Sequence, residues 1–386
     1  MSTSIRNISV AIDGTKSSGF CIELDGTRWR LDNFMLSQSL LSPNTLSFSL
    51  HKEPDERINE VSFNVCGAII GKEVLISLET ESVEKESLKA DTDSVADIEF
   101  AGVIIGASGS RNRSEFSVNV EACSWDALLN DNPTCKSFEN LTLNDIVNDV
   151  VDDYSEHLKT DVDARFTNTI PYCVQYNESN YQFLQRLARR YGEWLYNDGK
   201  KMVFGNLPKG ESVKLAYPSQ DVPSYNVDLK MRHVAFNHVA SSYNSYDANE
   251  KEGIEEMQRE YNTLSEQVFQ ASQSCFVKPT LQNLHSGGFA DSDGRETVLN
   301  VSTKTQARGE KASMLTYSGT TYCSKLKIGS KLVIEDNYMP AASALEQSKV
   351  EQDEMLITEL VHYFSADETY SNHFVGIPSA CDYPPY

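Results

Sequence analysis

A strict alternation of apolar and polar side chains limits most strongly how this chain can fold. In the run SEFSVNVEACS, Phe116, Val118 and Val120 are apolar. Ser117 and Asn119 lie between them and are polar. Because successive side chains of a strand point to opposite sides of a sheet, this period of two predicts a strand with one buried face.

The rest of the first third of the chain has similar strand signals. The run FCIELDGTRWRLDNFML contains the pair Asp25-Gly26, which favours a two-residue hairpin turn between strands. Three further apolar runs follow, namely VSFNVCGAII, EVLISLET and VADIEFAGVIIGASG. Several antiparallel strands within about 100 residues predict a small barrel or sandwich.

The segment LTLNDIVNDVVDDYSEHLK has helical spacing instead. Its apolar stripe is formed by Ile146, Val147, Val150, Val151, Tyr154 and Leu158. Thr142 and Asp145 are spaced as a capping box at the start of this helix. The aspartates on its other side lack the Asp-x-Asp-x-Asp-Gly spacing of a calcium loop, so a solvated helix face explains them better than a metal site.

The segment from Tyr172 to Gly205 predicts a strand, a helix and a hairpin in succession. Ser179 and Gln182 are spaced as a capping box, and Gly192 is suited to end the helix. The apolar face of the helix comprises Phe183, Leu184, Leu187, Ala188 and Tyr191. Three arginines lie toward its C-terminal end, where the helix dipole favours positive charge: Arg186, Arg189 and Arg190. Binding of a phosphate or an acidic partner is the alternative role for these arginines.

A heptad spacing runs through residues 249–276. Its apolar positions are Ile254, Met257, Tyr261, Leu264, Val268, Ala271 and Cys275, at intervals of three and four. This pattern predicts a helix of about three heptads. Two interpretations remain open: the helix lies on its own domain, or its residues Ile254 to Ala271 contact a neighbouring subunit.

Composition excludes several classes of partner. A chain of 386 residues predicts two or three domains. The net charge of −22 disfavours nucleic acid and anionic membranes, because phosphate binding needs clustered Lys and Arg. No apolar run is long enough to span a membrane, and the N-terminal sequence MSTSIRNISVAIDGTKSSG has no signal-peptide core. The sequence therefore predicts folding in a cytoplasm and export, if any, by another route.

The motifs of common enzymes are missing. The sequence contains no Walker loop, no Gly-x-Gly-x-x-Gly after a strand, no His-Glu-x-x-His and no Gly-x-Ser-x-Gly. The eight cysteines form no Cys-x-x-Cys pair and are interpreted as small apolar residues. The sequence therefore predicts no enzyme, no metal site and no cofactor, although a glycosidase-like pair of carboxylates stays open because its spacing is spatial.

The segment VQYNESNYQFLQRLARRYGEWLY resembles the signature of VgrG spike proteins of type VI secretion systems, which are related to the baseplate hubs and late-control tail proteins of contractile phages. The matching positions are Tyr176, Glu178, Ser179, Phe183, Leu187, Gly192, Trp194 and Tyr196. Other segments resemble the family in the expected order from about Phe20 to Pro378. They include the turn from Leu326 to Gly329, and a final hairpin with His362, Tyr370, Asn372 and Phe374 at matching places.

The resemblance implies an α+β, mainly β fold with two related small β-barrels in a trimeric ring. The implied first barrel covers residues 1–120, and residues 121–205 form an inserted helix and hairpin domain. The second barrel takes residues 206–245 and 300–378, around a helical insertion at 246–299. Residues 379–386 would be a linker toward a spike domain.

The implied function is mechanical. The ring would be a homotrimeric adaptor between a hexameric, Hcp-like tube and a threefold spike, assembled in the bacterial cytoplasm and ejected without a signal peptide. Its implied partners are baseplate subunits, a PAAR-like spike tip and effectors. A phage or prophage tail hub is the alternative within this class, and a β-rich carbohydrate-binding or cell-wall-degrading tail module is the alternative outside it.

Overall fold

The computed structural model describes residues 3–52, 63–80, 97–111, 115–207, 212–217, 222–232, 238–244, 249–255, 263–276, 281–283, 305, 308–309, 311–336, 350–351, 354–381 and 383–385. Strands dominate this part of the chain. The elements up to residue 124 are β1 (Thr3–Ile12), β2 (Thr15–Lys16), β3 (Cys21–Leu24), β4 (Thr27–Ser39), β5 (Thr45–Lys52), α1 (Asn64–Ile69), β6 (Glu73–Thr80), β7 (Ile98–Arg111) and β8 (Phe116–Ser124).

The middle of the chain mixes helices and strands, and the last part returns to strands. The middle elements are a 3-10 helix (Trp125–Asn130), β9 (Thr134–Leu141), α2 (Leu143–Val151), a second 3-10 helix (Asp152–Tyr154), β10 (Thr160–Asp163), β11 (Ile170–Glu178), α3 (Asn180–Tyr191), β12 (Trp194–Asn197) and β13 (Met202–Gly205). The last elements are β14 (Ser212–Tyr217), β15 (Ser224–Leu229), β16 (His238–Asn244), β17 (Asn249–Glu255), α4 (Thr263–Cys275), β18 (Leu281–Asn283), β19 (Leu315–Thr321), β20 (Lys331–Asp336), β21 (Val350–Glu351), β22 (Met355–Phe364) and β23 (Thr369–Pro378).

Eight strands form a ladder that returns to its start. The order is β4-β5-β8-β7-β6-β1-β23-β22, all pairs are antiparallel, and β22 pairs with β4 again. The alternation seen in the sequence sets its register, because Phe48 lies opposite Val120 and Leu50 opposite Val118. These side chains point into one buried cluster, called here the first core, which also holds Trp29. The predicted strand from Phe116 is therefore confirmed, and its apolar face is the buried one.

A second ladder continues from the same hairpin. Its order is β14-β20-β22-β23-β19-β15, with β14 and β20 parallel and the other pairs antiparallel. The two end strands approach each other through Tyr217 and Tyr225, whose ring centroids lie 5.0 Å apart edge to face. This ladder surrounds another buried cluster, called here the third core, which includes Leu332, Leu360 and Phe374.

Residues 125–205 form an α/β unit with its own second core. Helices α2 and α3 pack with two small sheets, β9-β11 and β10-β13-β12. Both predicted capping boxes are confirmed: Thr142 and Ser179 each accept a hydrogen bond from the backbone N–H three residues later. Gly192 ends α3 in the left-handed region, at φ 75°. The short sequence signals were sufficient here because each one acts within a single turn.

The predicted helix over residues 249–276 is wrong in its first part. Ile254 lies on β17, opposite Val239 of β16, so strand pairing overrides the heptad spacing there. Helix α4 begins at Thr263, and the predicted helical insertion thus also contains strands. Within α4, Leu264 packs against the third core, and Val268 clusters with Phe269 and Met314.

Two further predictions concern the heptad positions and the C-terminal residues. Met257 and Tyr261 of the heptad lie outside the described residues. The predicted linker at 379–386 packs against the chain where it is described, and Cys381 is buried there.

All eight cysteines are described and are free thiols. Among the helices of the described residues, none is long and apolar enough to cross a membrane.

The buried face of α3 supplies a test of the second core. Leu187 is fully buried there, and we expect Leu187→Ala to lower the free energy of unfolding by about 2–5 kcal/mol through lost contacts and a cavity. Arg189→Ala, on the exposed side of the same helix, is the control and should change it by less than about 0.5 kcal/mol. Urea titration measures both, and equal effects would contradict the assignment of the helix faces.

Candidate functional site

A buried polar network crosses the place where the two ladders share β22 and β23. His362 Nδ1 lies 2.8 Å from the Tyr370 hydroxyl, and His362 Nε2 lies 3.2 Å from Gln38 Oε1. Asn372 Nδ2 donates to the Tyr370 hydroxyl at 2.9 Å, and Thr321 Oγ1 donates to Asn372 Oδ1 at 3.1 Å. These five residues, called here the junction network, link β4, β22, β23 and β19.

The junction network is desolvated, which changes its titration. Burial lowers the pKa of His362 from 6.5 to about 3, because the charged imidazolium loses its water. Burial likewise raises the pKa of the Tyr370 hydroxyl. Both groups are therefore neutral at pH 7 and act as hydrogen-bonding parts of the frame. A neutral imidazole hydrogen-bonded through both nitrogens fixes the spacing of the strands that it joins.

His362 and Tyr370 were singled out by the family resemblance, whereas Gln38 was missed. The signal for Gln38 was present, because it occupies the inward phase of the alternation between Leu36 and Leu40. A polar residue at an inward position of a strand predicts a buried hydrogen bond. The sequence could not indicate its partner, since Gln38 and His362 are 324 positions apart.

A second buried polar cluster fastens the α/β unit to the first ladder. Asn44 Nδ2 donates to the Asn197 backbone carbonyl at 3.1 Å, and Asn197 Nδ2 donates to Asp126 Oδ1 at 2.7 Å. Asp126 Oδ2 is buried without a hydrogen-bond partner. Burial therefore raises the pKa of Asp126, against smaller opposing effects of hydrogen bonds from Ser124 and Asn197. Sequence reasoning missed this cluster because its members come from the β4–β5 connection, the first 3-10 helix and β12, which are far apart in sequence.

Glu178 and Arg186, at one end of the signature segment, cover the free edge of β11. Arg186 Nε donates to both carboxylate oxygens of Glu178, and Arg186 Nη2 donates to the Val174 carbonyl at 2.6 Å. Glu178 Oε1 in turn accepts from the Tyr176 N–H at 3.4 Å. An unpaired strand edge invites pairing with another chain, so this ion pair protects the edge. This contact gives Arg186 a structural role that does not require a phosphate.

The remaining signature residues fall into three groups. Phe183 and Leu187 are buried in the second core. Trp194 and Tyr196 are buried in the third core, together with Phe374, while Leu195 between them faces the second core. Gly329 adopts φ 74° in the turn before β20, where its N–H donates to the Ile357 carbonyl at 2.9 Å. The structure thus distributes these residues over the frame and does not gather them into one pocket.

Tyr176 differs from the other signature residues because it is 76% exposed. Tyr172 and Val174 point to the same side of β11 and are also exposed. Their neighbours on β9 are Glu139, Ser137 and Cys135. The outer face of this two-stranded sheet is consequently an apolar stripe, a surface type that often marks contact with another macromolecule.

A cleft of about 460 Å³ lies where the α/β unit meets both ladders. Its ionisable lining consists of Asp97, Glu99, Asp161, Asp163, Asp198, Lys200, Lys201, Lys327 and His362. Lys200 pairs with Glu99 at 2.6 Å, and Lys201 pairs with Asp161. Half-exposed pairs of this kind stabilise little. Within the described residues, no group of three or more His, Cys, Asp or Glu side chains is placed to hold a metal ion.

Comparison with known sequences gives one family. The profile of the family described as phage tail baseplate hub (GPD) matches residues 60–368. No curated protein matches the sequence. The matched residues include the whole α/β unit, four of the eight strands of the first ladder and five of the six strands of the second.

Solved structures with the same fold come from phage tails and secretion systems. A tail protein from Neisseria meningitidis MC58 aligns with a TM-score of 0.65 and 9% identity over 100% of this chain and 99% of its own. The E. coli c3393 protein, a component of the type VI secretion system, aligns with a TM-score of 0.55 and 14% identity over 98% of this chain and 79% of its own. A chain of a Francisella PdpA-VgrG complex aligns with a TM-score of 0.52 and 12% identity over 99% of this chain and 60% of its own.

The buried histidine predicts a specific acid sensitivity. Because burial lowers the folded pKa of His362 to about 3, its contribution to stability is present above pH 6.5 and is lost as pH falls toward 3. We expect this loss to approach about 1.4 kcal/mol per pH unit in that window, and to be absent in His362→Gln. Urea titrations at several pH values measure the change of the unfolding free energy with pH. The same change in His362→Gln as in the wild type would refute the role of His362 in this acid sensitivity.

The raised pKa of Asp126 predicts a loss of stability as pH rises. Its folded pKa is raised, so its contribution to stability is present below pH 3.8 and is lost as pH rises. We expect Asp126→Asn to gain stability relative to the wild type as pH increases from 4 to 8. Asp145→Asn is the control, because hydrogen bonds from Thr142 lower the pKa of Asp145 from 3.8, so its contribution is lost only as pH falls below about 4 and its difference from the wild type should stay nearly constant from pH 4 to 8. Two variants that diverge from the wild type in the same direction would disprove this account.

Proposed function

The chain belongs to the phage tail baseplate hub (GPD) family, and we propose that it is the structural hub of a contractile injection machine. In this proposal, three copies form a ring between a hexameric, Hcp-like tube and a threefold spike, as a VgrG protein of a type VI secretion system. The ring is ejected with the tube and delivers effectors. The proposed role is mechanical and requires no catalysis.

The observation that carries the proposal is the pair of ladders that share the β22–β23 hairpin. Each chain would contribute two related barrels, one from residues 1–120 and one from 206–245 with 300–378. The segments 121–205 and 246–299 would be insertions on them. Three chains would then place six barrels around one axis, which suits contact with a hexamer on one side and a trimer on the other.

The proposed partners follow from the family resemblance. They are two further copies of the chain, the tube protein, baseplate subunits, a PAAR-like spike tip and effectors. Assembly would take place in the bacterial cytoplasm, and ejection would carry the hub into a target cell or the medium without a signal peptide. Of the heptad positions expected to contact a neighbouring subunit, Leu264 and Val268 pack within the chain, whereas Ala271 is exposed on α4 and is proposed as a subunit contact.

A phage or prophage tail hub is the second candidate. It is supported by the tail protein from Neisseria meningitidis, whose solved structure shares the fold of this chain. Both candidates assign the same mechanical role to the fold. They differ in what is ejected and into which cell.

Solution mass tests the ring. We expect light scattering over a concentration series to give three times the mass of one chain, with Ala271→Arg shifting the trimer toward monomer by placing a charge in the proposed contact. Ser155→Arg, which is exposed on the α/β unit, is the control and should leave the trimer intact. A monomer at every concentration would contradict the trimeric hub, and a sugar-binding module would then explain the fold better.

A further inference from the structure

The cleft between the α/β unit and the two ladders keeps a negative charge. Five carboxylates and three lysines line it, and its buried His362 is neutral, so the net charge of the lining is −2 at pH 7. Two of the lysines pair with Glu99 and Asp161. The carboxylate of Asp163 has no ion pair or hydrogen bond within the described residues. The cleft therefore presents carboxylate charge that its own lysines do not neutralise.

Two buried polar groups of the cleft lack a partner in the part of the chain that the structure describes. Tyr196 is 2% exposed, and its hydroxyl forms no hydrogen bond there. Gln38 is 6% exposed and uses Oε1 for His362, while its Nε2 donates to no described atom. Because buried polar groups are nearly always hydrogen-bonded, two unused donors in the wall of one cleft indicate a place for a ligand.

The Tyr196 hydroxyl lies beside the acidic part of the lining. Burial raises the pKa of this hydroxyl, and the negative charges of Asp198 and Asp161 raise it further, which places both carboxylates near it. The ring of Tyr196 is buried in the third core, so the hydroxyl is held at a fixed position in the cleft wall. A fixed donor beside two carboxylates suits a ligand that combines a carbonyl oxygen with a positive charge.

A close backbone contact fixes the wall formed by the turn between β12 and β13. The Ala101 N–H donates to the Gly199 carbonyl at 2.8 Å, which ties this turn to β7. A Cβ at Gly199 would come within 2.4 Å of the Glu99 carbonyl oxygen, and its φ of 108° is rarely adopted by other residues. Glycine is therefore required at this contact, which holds the two walls of the cleft at a set distance.

The chemistry of the lining distinguishes between classes of cation. Within the described ranges, no three carboxylates are grouped as a metal site requires. Separated carboxylates suit separated positive groups, such as the lysine or arginine side chains of an extended peptide. A peptide backbone also supplies carbonyl acceptors for Tyr196 and Gln38, which a polyamine lacks. The volume of about 460 Å³ is in the range of small-ligand pockets, so the cleft admits a short segment only.

We propose that this cleft binds a short basic segment of a partner protein. In this arrangement Asp163 and Asp198 accept hydrogen bonds from two cationic side chains of the segment. Tyr196 and Gln38 donate to its backbone carbonyls. The site goes beyond the proposed hub function, because it requires neither a ring of three chains nor an ejected tube.

Fluorescence anisotropy with the full-length chain tests the site. The probe is an acetylated Lys-Gly-Lys peptide amide that carries a neutral fluorophore, and we expect saturable binding of it but not of the matched Glu-Gly-Glu peptide. Asp163→Asn should raise the Kd about fivefold, because it removes a carboxylate that the peptide contacts. Asp153→Asn changes the net charge equally, but Asp153 is exposed on the α/β unit outside the cleft. This control should change the Kd less than about twofold, because salt screens a distant charge.

Tyr196→Phe separates a specific site from general attraction to an acidic protein. Because the hydroxyl has no partner within the described chain, we expect its removal to leave the Tm unchanged. It should raise the Kd of the peptide about fivefold through the lost hydrogen bond. The Kd of spermine, a polyamine without a carbonyl group, should stay the same and is measured by displacement of the probe.

Four results would overturn the proposal. One is an absence of peptide binding at low ionic strength, and another is an equal Kd increase in Asp163→Asn and Asp153→Asn, which would show attraction by net charge alone. The third is an unchanged peptide Kd in a folded Tyr196→Phe. A lower Tm of Tyr196→Phe is the fourth, since it would show that the hydroxyl is already bonded within the chain.

Discussion

The hairpin of β22 and β23 is the element on which the rest of the structure depends. Its tip residues Phe364 and Tyr370 are buried in the first core, while Leu356 and Phe374 near its base are buried in the third. The strands therefore cannot leave one core without disturbing the other. The junction network lies at the crossing, where the buried His362 is hydrogen-bonded through both ring nitrogens. A shared hairpin with a satisfied polar network fixes the relative position of the two ladders.

The α/β unit is attached to the ladders by β12, a strand whose two faces are both buried. Leu195 of β12 faces the second core, and its neighbours Trp194 and Tyr196 face the third. The Asn44–Asn197–Asp126 cluster adds a polar link to the first ladder. Each unit is therefore held by large buried side chains together with directional hydrogen bonds. The solved structures share this fold at 9–14% identity.

Protection of edges and exposure of apolar residues occur side by side in this fold. Arg186 and Glu178 cover the edge of β11, while the face of the same strand exposes Tyr172, Val174 and Tyr176. Blocking the edge prevents unspecific strand addition and leaves the face free for a side-chain contact.

The sequence by itself determined most of the local structure of this protein, although the run VSFNVCGAII, predicted as a strand, contains helix α1 (Asn64–Ile69). The alternation of apolar and polar residues predicted β8, the capping boxes predicted where α2 and α3 begin, and Gly192 predicted where α3 ends. Each of these signals acts between residues a few positions apart. The heptad spacing failed at Ile254, since pairing with Val239 supplied backbone partners that a helix would otherwise provide. Only the tertiary structure decided that Gln38 meets His362 and that Asn44 meets Asn197, across 324 and 153 positions. Such contacts depend on which strands become neighbours, and that choice is made by the burial of whole faces rather than by any single residue.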